Sequence, residues 1–110
     1  MTELNKITQS LLEFREARDW EQFHNPKDLA VAISVESGEL LEQFLWKQPN
    51  EANRDKVKEE IADIMAYSLL LAHHYGFDVA EIIKEKIAKN ELKYPVDKSK
   101  GNAKKYNEFD

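Results

Sequence analysis

The 110-residue sequence predicts an all-α protein, an antiparallel four-helix bundle with an irregular basic C-terminal tail. Three observations carry that prediction. Only three Gly and three Pro interrupt the chain, so its breaks are few and separate long stretches. Apolar residues recur at spacings of three and four in four successive segments, the period of a helix with one face on a core. No segment alternates apolar and polar residues as a half-buried strand would. There is no internal repeat or low-complexity tract, and a single domain over 1–110 is expected, with a helical core of about 2–92 and a tail of 93–110.

Thr2 is placed to cap the first helix, along which Leu4, Ile7, Leu11 and Phe14 form a row ending near Arg18. Asn25-Pro26 opens the second, with Asn as N-cap and Pro at the first helical position. Leu29, Ile33, Leu40 and Phe44 carry it to Trp46, and Pro49-Asn50 ends it. The third begins near Asn50 or Glu51 and runs through Val57, Ile61, Ile64 and Leu69–Leu71 to Tyr75, where Gly76 supplies the C′ stop. Asp78 caps the fourth, with Val79, Ile82, Ile83 and Ile87 on one face, and Tyr94-Pro95 breaks it after Leu92. Helices two and three are apolar on more than one side, wider than one small bundle covers, so a homo-oligomer is expected.

Charge and composition exclude several classes. The net charge of −5 argues against a nucleic-acid binder, which needs a basic face. With no Cys there is no disulfide framework and no thiolate metal site. The longest apolar run, Leu29 to Ile33, is far short of the roughly 20 residues that span a bilayer, and the N-terminus lacks a secretory pattern. A cytoplasmic protein without membrane partners is expected. Charge is also segregated: residues 93–110 carry a net +2 and the rest −7.

Four acids stand out by phase. Glu36-Ser37-Gly38-Glu39 lies in helix two and Glu60-Ile61-Ala62-Asp63 in helix three, each a pair on one helical face. Glu36 falls inside the row Leu29-Ile33-Leu40-Phe44, and Glu60 and Asp63 inside the row Val57-Ile64-Tyr67-Leu71. A plain bundle would place Leu at most of these positions. Unpaired carboxylates among apolar side chains are costly, so something must neutralise them. Lys56, one turn before Glu60, is one cation against four acids. Divalent ions suit such oxygens, Mg²⁺ first and Mn²⁺ as the alternative. A di-iron centre would want Glu-x-x-His, where this chain has Asp63, and His73-His74 lie at the helix end, where its dipole accounts for them.

This pattern resembles the MazG-like all-α nucleoside triphosphate pyrophosphohydrolases. Besides the acids, the run Arg18-Asp19-Trp20-Glu21-Gln22-Phe23-His24, then Pro26, Glu36-Ser37-Gly38-Glu39-Leu40 and Trp46, is similar to the dCTP pyrophosphatase branch. So are Glu59 to Ile64 with Tyr67, Asn90 with Lys93-Tyr94-Pro95, and Lys104-Lys105-Tyr106. The resemblance runs from about Phe14 to Tyr106. One departure is the absence of histidine between Leu11 and Arg15, where dCTP enzymes of this family carry one in the base pocket.

The resemblance implies a homodimer or homotetramer that converts a (d)NTP to (d)NMP and pyrophosphate by metal-activated water. Glu36, Glu39, Glu60 and Asp63 would be the metal ligands, with Glu39 and Glu36 catalytic and Glu39 the acceptor of the water's proton. Trp20, Trp46, Tyr67 and His24 would bind the base. Asn90, Lys93, Tyr94, Lys104, Lys105 and Tyr106 would hold phosphate and sugar, giving the basic tail a purpose. The expected substrate is a pyrimidine deoxynucleotide such as dCTP or a modified form, in nucleotide-pool sanitation. The competing reading is a non-catalytic helical module whose acids bind a metal or a basic partner.

Overall fold

A computed structural model describes residues 1–110 and contains helices and turns but no strand. Five α-helices follow in order: α1 (Glu3–Ala17), α2 (Pro26–Glu42), α3 (Arg54–His74), α4 (Val79–Lys93) and the single turn α5 (Val96–Ser99). The all-helical expectation holds. The chain divides into two compact units, Met1–Phe77 and Asp78–Asp110.

In the first unit the expected caps form. The Thr2 hydroxyl accepts from the Asn5 amide at 3.1 Å, and the Asn25 side chain accepts from the Asp28 amide at 2.8 Å. Two boundaries differ from the sequence expectation. Helix α2 stops at Glu42 rather than Trp46, because the chain tightens into turns in which Phe44, Leu45 and Lys47 donate to carbonyls three residues back. Trp46 closes these turns with φ 59°, outside helical space for an L-residue. Helix α3 starts at Arg54, not near Asn50, because Pro49–Glu51 forms a separate 3₁₀ turn. Ala52 is then extended, and Asn53 becomes the cap, accepting from the Lys56 amide at 3.2 Å.

Helix α3 packs along α2 and also against α1. Leu12, Leu29 and Leu70, one from each helix, form the buried centre, with Leu11, Tyr67 and Leu71 packed around it. Three long helices around so small a centre leave apolar residues uncovered: Val31, Val35, Leu41, Ile61 and Met65 are all about half exposed or more. Gly76, at φ 71°, lets the chain leave α3 through a left-handed residue.

In the second unit the Asp78 carboxylate caps α4, accepting from the Glu81 amide at 3.0 Å. The segment expected to be irregular holds α5 and a 3₁₀ turn at Tyr106–Glu108. Tyr94 anchors it, meeting the rings of Tyr106 and Phe109 edge-on at 6.2 and 5.9 Å.

Candidate active site

Helical spacing places Glu36 and Glu39 on one face of α2, and Glu60 and Asp63 on one face of α3. Packing α2 on α3 brings the two faces together. Carboxylate oxygens of Glu36, Glu60 and Asp63 lie within 4.8 Å of one another, a set able to hold a metal ion. Glu36 and Glu60 are half-buried, Asp63 is exposed, and one oxygen of each glutamate (Oε2) is buried without a hydrogen-bond partner.

The crowding raises the Glu36 pKa to about 7. The largest cause is Glu60, with which Glu36 can hydrogen-bond only by holding a proton; Glu39 acts in the same way, and burial and the charges of Glu39 and Asp63 add to it. Glu39 thus joins the cluster through Glu36. No basic side chain neutralises these acids. Lys56 does not pair with Glu60, and the one ion pair in the chain joins Arg15 to Glu21 at 3.8 Å.

Beside the acids lies a cleft of about 270 Å³, with Asp63 and Tyr67 of α3 in one wall. Its other walls come from α1 and the turn that follows. Asp19, at φ 55°, swings the chain out of α1, and the Trp20 amide donates back to the Arg15 carbonyl at 2.9 Å. That turn sets the Trp20 ring edge-on to Phe14, with centroids 5.8 Å apart. Across the cleft the His24 ring meets Tyr67 in the same manner at 6.3 Å. Burial, then the neighbouring Arg15 charge, lowers the His24 pKa and favours neutral imidazole. Burial, then Glu36, Asp63 and Glu39, raises that of Tyr67, which remains a phenol.

The structure therefore gathers Glu36, Glu39, Glu60 and Asp63 at one place and Trp20, His24 and Tyr67 in the cleft beside it. Trp46 is outside: it is 95% exposed beyond the end of α2 and lines no part of this cleft. The remaining sequence-derived residues belong to the second unit. There Lys93 sets its ammonium 5.0 Å from the Tyr106 ring centroid, and Tyr94 packs on the same ring. The Asn90 carbonyl accepts from the Tyr94 amide at 2.8 Å, and Lys104 and Lys105 are exposed.

Sequence reasoning passed over Arg15 and treated Phe14 only as packing. Arg15 is a wall residue of the cleft and is 9% exposed. The signal was its place four residues after Leu11 and three after Leu12, on the inward face of α1.

The model of the MazG-like family matches residues 31–109, a stretch that holds all four acids. The chain belongs to the MazG-like family. It is 36% identical to dCTP pyrophosphatase 1 of Mus musculus and 34% identical to that of Homo sapiens, each match covering 96% of this chain and 67% of the relative. The crystal structure of a pyrophosphatase from Archaeoglobus fulgidus is similar, with a TM-score of 0.80 and 39% identity over 86% of this chain and 94% of that one.

Proposed function

We propose that this chain is a metal-dependent nucleoside triphosphate pyrophosphohydrolase, cleaving a (d)NTP to (d)NMP and pyrophosphate. The proposed substrate is a pyrimidine deoxynucleotide such as dCTP or a modified form, removed from the cytoplasmic nucleotide pool. The observation that carries the reading is the continuity of two unlike surfaces. An all-oxygen acidic cluster meets an aromatic cleft at Asp63 and Tyr67. A nucleoside triphosphate has the matching halves, an aromatic base and a polyanion that cations bring to carboxylates. The relatives carry the activity in their names, dCTP pyrophosphatase 1 and pyrophosphatase.

The cluster fits divalent cations on its own chemistry. Its donors are all hard oxygens, and the buried Oε2 atoms of Glu36 and Glu60 lack partners. Glu36, Glu39, Glu60 and Asp63 would hold Mg²⁺, with Mn²⁺ as a substitute. When bound, such ions supply Lewis acidity to phosphate oxygens and make water more acidic. Trp20 stacks on the base, with His24 and Tyr67 completing the slot. Glu39 takes the proton of the attacking water as its oxygen bonds to the α-phosphorus and the bond to pyrophosphate breaks. Asn90, Lys93, Tyr94, Lys104, Lys105 and Tyr106 hold the sugar and phosphates.

The working form in this reading is a homodimer or homotetramer. Its contacts complete the antiparallel four-helix bundle and cover the half-exposed Val31, Val35, Leu41, Ile61 and Met65. That assembly also offers Trp46 a route to a site. No helix here is long and apolar enough to cross a membrane.

The test is pyrophosphate release from a panel of dNTPs with Mg²⁺, for the wild type and Glu60→Gln. Release by the wild type alone supports the reading. Stabilisation by Mg²⁺ with no product from any triphosphate replaces the enzyme by a metal-binding helical module.

A further inference from the structure

Arg15 holds a permanent charge in a buried place with little to bond to. It is nine-tenths buried, and its Nε has no acceptor. Its ion pair with Glu21 spans 3.8 Å, longer than a hydrogen bond, to a carboxylate that is largely exposed. Arginine does not escape such a position by losing its proton, and a buried N–H without an acceptor is costly. His24, on the same wall, has an Nδ1 that also lacks a partner. Between these groups and Asp63 at the acidic end, the cleft is lined by Leu11, Phe14, Trp20, Ala66, Tyr67 and Leu70, of which only Trp20 and Tyr67 carry a polar side-chain atom. A slot of this composition grips the faces of a flat ring. Arg15 is the permanent charge in its wall.

We propose that Arg15 determines which base this enzyme accepts, donating from its guanidinium to a base edge that carries two adjacent acceptors. The inference rests on the pyrophosphohydrolase reading for its substrate class. The parallel N–H groups of the guanidinium match O2 and N3 of cytosine, or O6 and N7 of guanine. Thymine and uracil place an N–H between their carbonyls, and adenine sets its amino group beside N1 and N7. Against those edges one guanidinium N–H faces another donor and stays unpaired, which is how a polar pocket rejects a near-isostere. A neutral His24 beside it donates or accepts without adding a second charge.

The experiment measures kcat/KM with Mg²⁺ for dCTP, dGTP, dTTP and dATP in the wild type, Arg15→Lys and Arg15→Met. Lysine keeps the charge and loses the fork; methionine keeps the length and has no donor. The wild type is expected to favour dCTP over dTTP, and dGTP over dATP. The dCTP-to-dTTP ratio should fall roughly 5- to 150-fold in Arg15→Met, with Arg15→Lys between. Because each ratio is taken within one protein, a partly unfolded sample lowers both terms alike. Metal-free binding of dCMP and dTMP, followed by tryptophan fluorescence, should give the same ranking without turnover.

Equal ratios in all three proteins overturn the role of Arg15, and so does a wild type that prefers dTTP. Hydrolysis of all four triphosphates with unchanged ratios sinks this inference and leaves the pyrophosphohydrolase reading intact. A wild type that turns over nothing, yet binds dCMP over dTMP through Arg15, sinks that reading and leaves this inference standing.

Discussion

At one end of the site, carboxylate oxygens of Glu36, Glu60 and Asp63 crowd within 4.8 Å of one another. At the other, the Arg15 Nε and the His24 Nδ1 lack hydrogen-bond partners in an aromatic wall. The two ends hold opposite charge and do not pair with each other: the guanidinium reaches only toward exposed Glu21. Had stability been the sole demand, apolar side chains would serve both places as well or better. In the proposed reading, these groups of opposite sign stay apart on one compact unit because each has a separate external partner. On that reading the acidic end takes a cation and the aromatic end a ring with acceptors.

Perturbing the acidic end should have the largest effect. Glu60→Gln or Asp63→Asn is expected to lower kcat/KM by more than about 100-fold, since even the outer partners of metal ligands typically cost 10- to 100-fold. Steady-state pyrophosphate release checks this, and near-normal rates in both variants would detach the cluster from catalysis. Glu39→Gln should separate binding from chemistry at the same end: nucleotide affinity by calorimetry stays measurable while turnover is lost. Turnover that survives would remove Glu39 as proton acceptor.

The aromatic end should respond more mildly and in KM. Trp20→Ala removes a stacking face worth about 1–3 kcal/mol, so KM should rise roughly 5- to 150-fold with a smaller change in kcat. A variant that loses kcat with KM intact would contradict the division of labour between the two ends. Deleting 96–110 tests the second unit's basic segment: KM for the triphosphate should rise, and unchanged kinetics would take that segment out of the mechanism.

The smallest effect concerns pH. Glu36 has a folded-state pKa of about 7 against an ordinary 4.5, so the metal-free folded protein binds a proton more tightly than the unfolded chain. Stability from that proton is fully present below about 4.5 and is lost as pH rises toward 7. The melting temperature of metal-free protein should therefore fall modestly across this window. Adding Mg²⁺ at neutral pH should raise it again, while a flat profile would mean that the acids are relaxed by solvent.

The acidic end was legible in the sequence because a carboxylate inside an apolar heptad-like row violates the helical period it sits in. Glu36 in the Ile33-Leu40 row and Glu60 in the Val57-Ile64 row needed no neighbour from another helix to look out of place. Arg15 was not legible in that way. An arginine near a helix end usually extends into water, and its burial arises only when the turn at Asp19 folds Trp20 back over α1. The helix boundaries around 43–53 failed for a local reason. Apolar period alone carried α2 on to Trp46, whereas the positive φ there and the 3₁₀ turn at Pro49–Glu51 interrupt it. Caps, by contrast, were read correctly at Thr2, Asn25 and Asp78, because an N-cap is decided by side-chain chemistry within three residues.

Asp63 faces the acids and Tyr67 the aromatic slot, and they are four residues apart on α3. In the proposed reading, four residues of helix, about 6 Å of rise, therefore gauge the distance between the two sub-sites. That gauge is stiff and made of backbone, so it measures molecules by length. A compound lacking either the ring or the charged chain fills only half the gauge, whatever its affinity for that half. Inserting one residue between 63 and 67 would turn the two sub-sites about 100° out of register while leaving every side chain present.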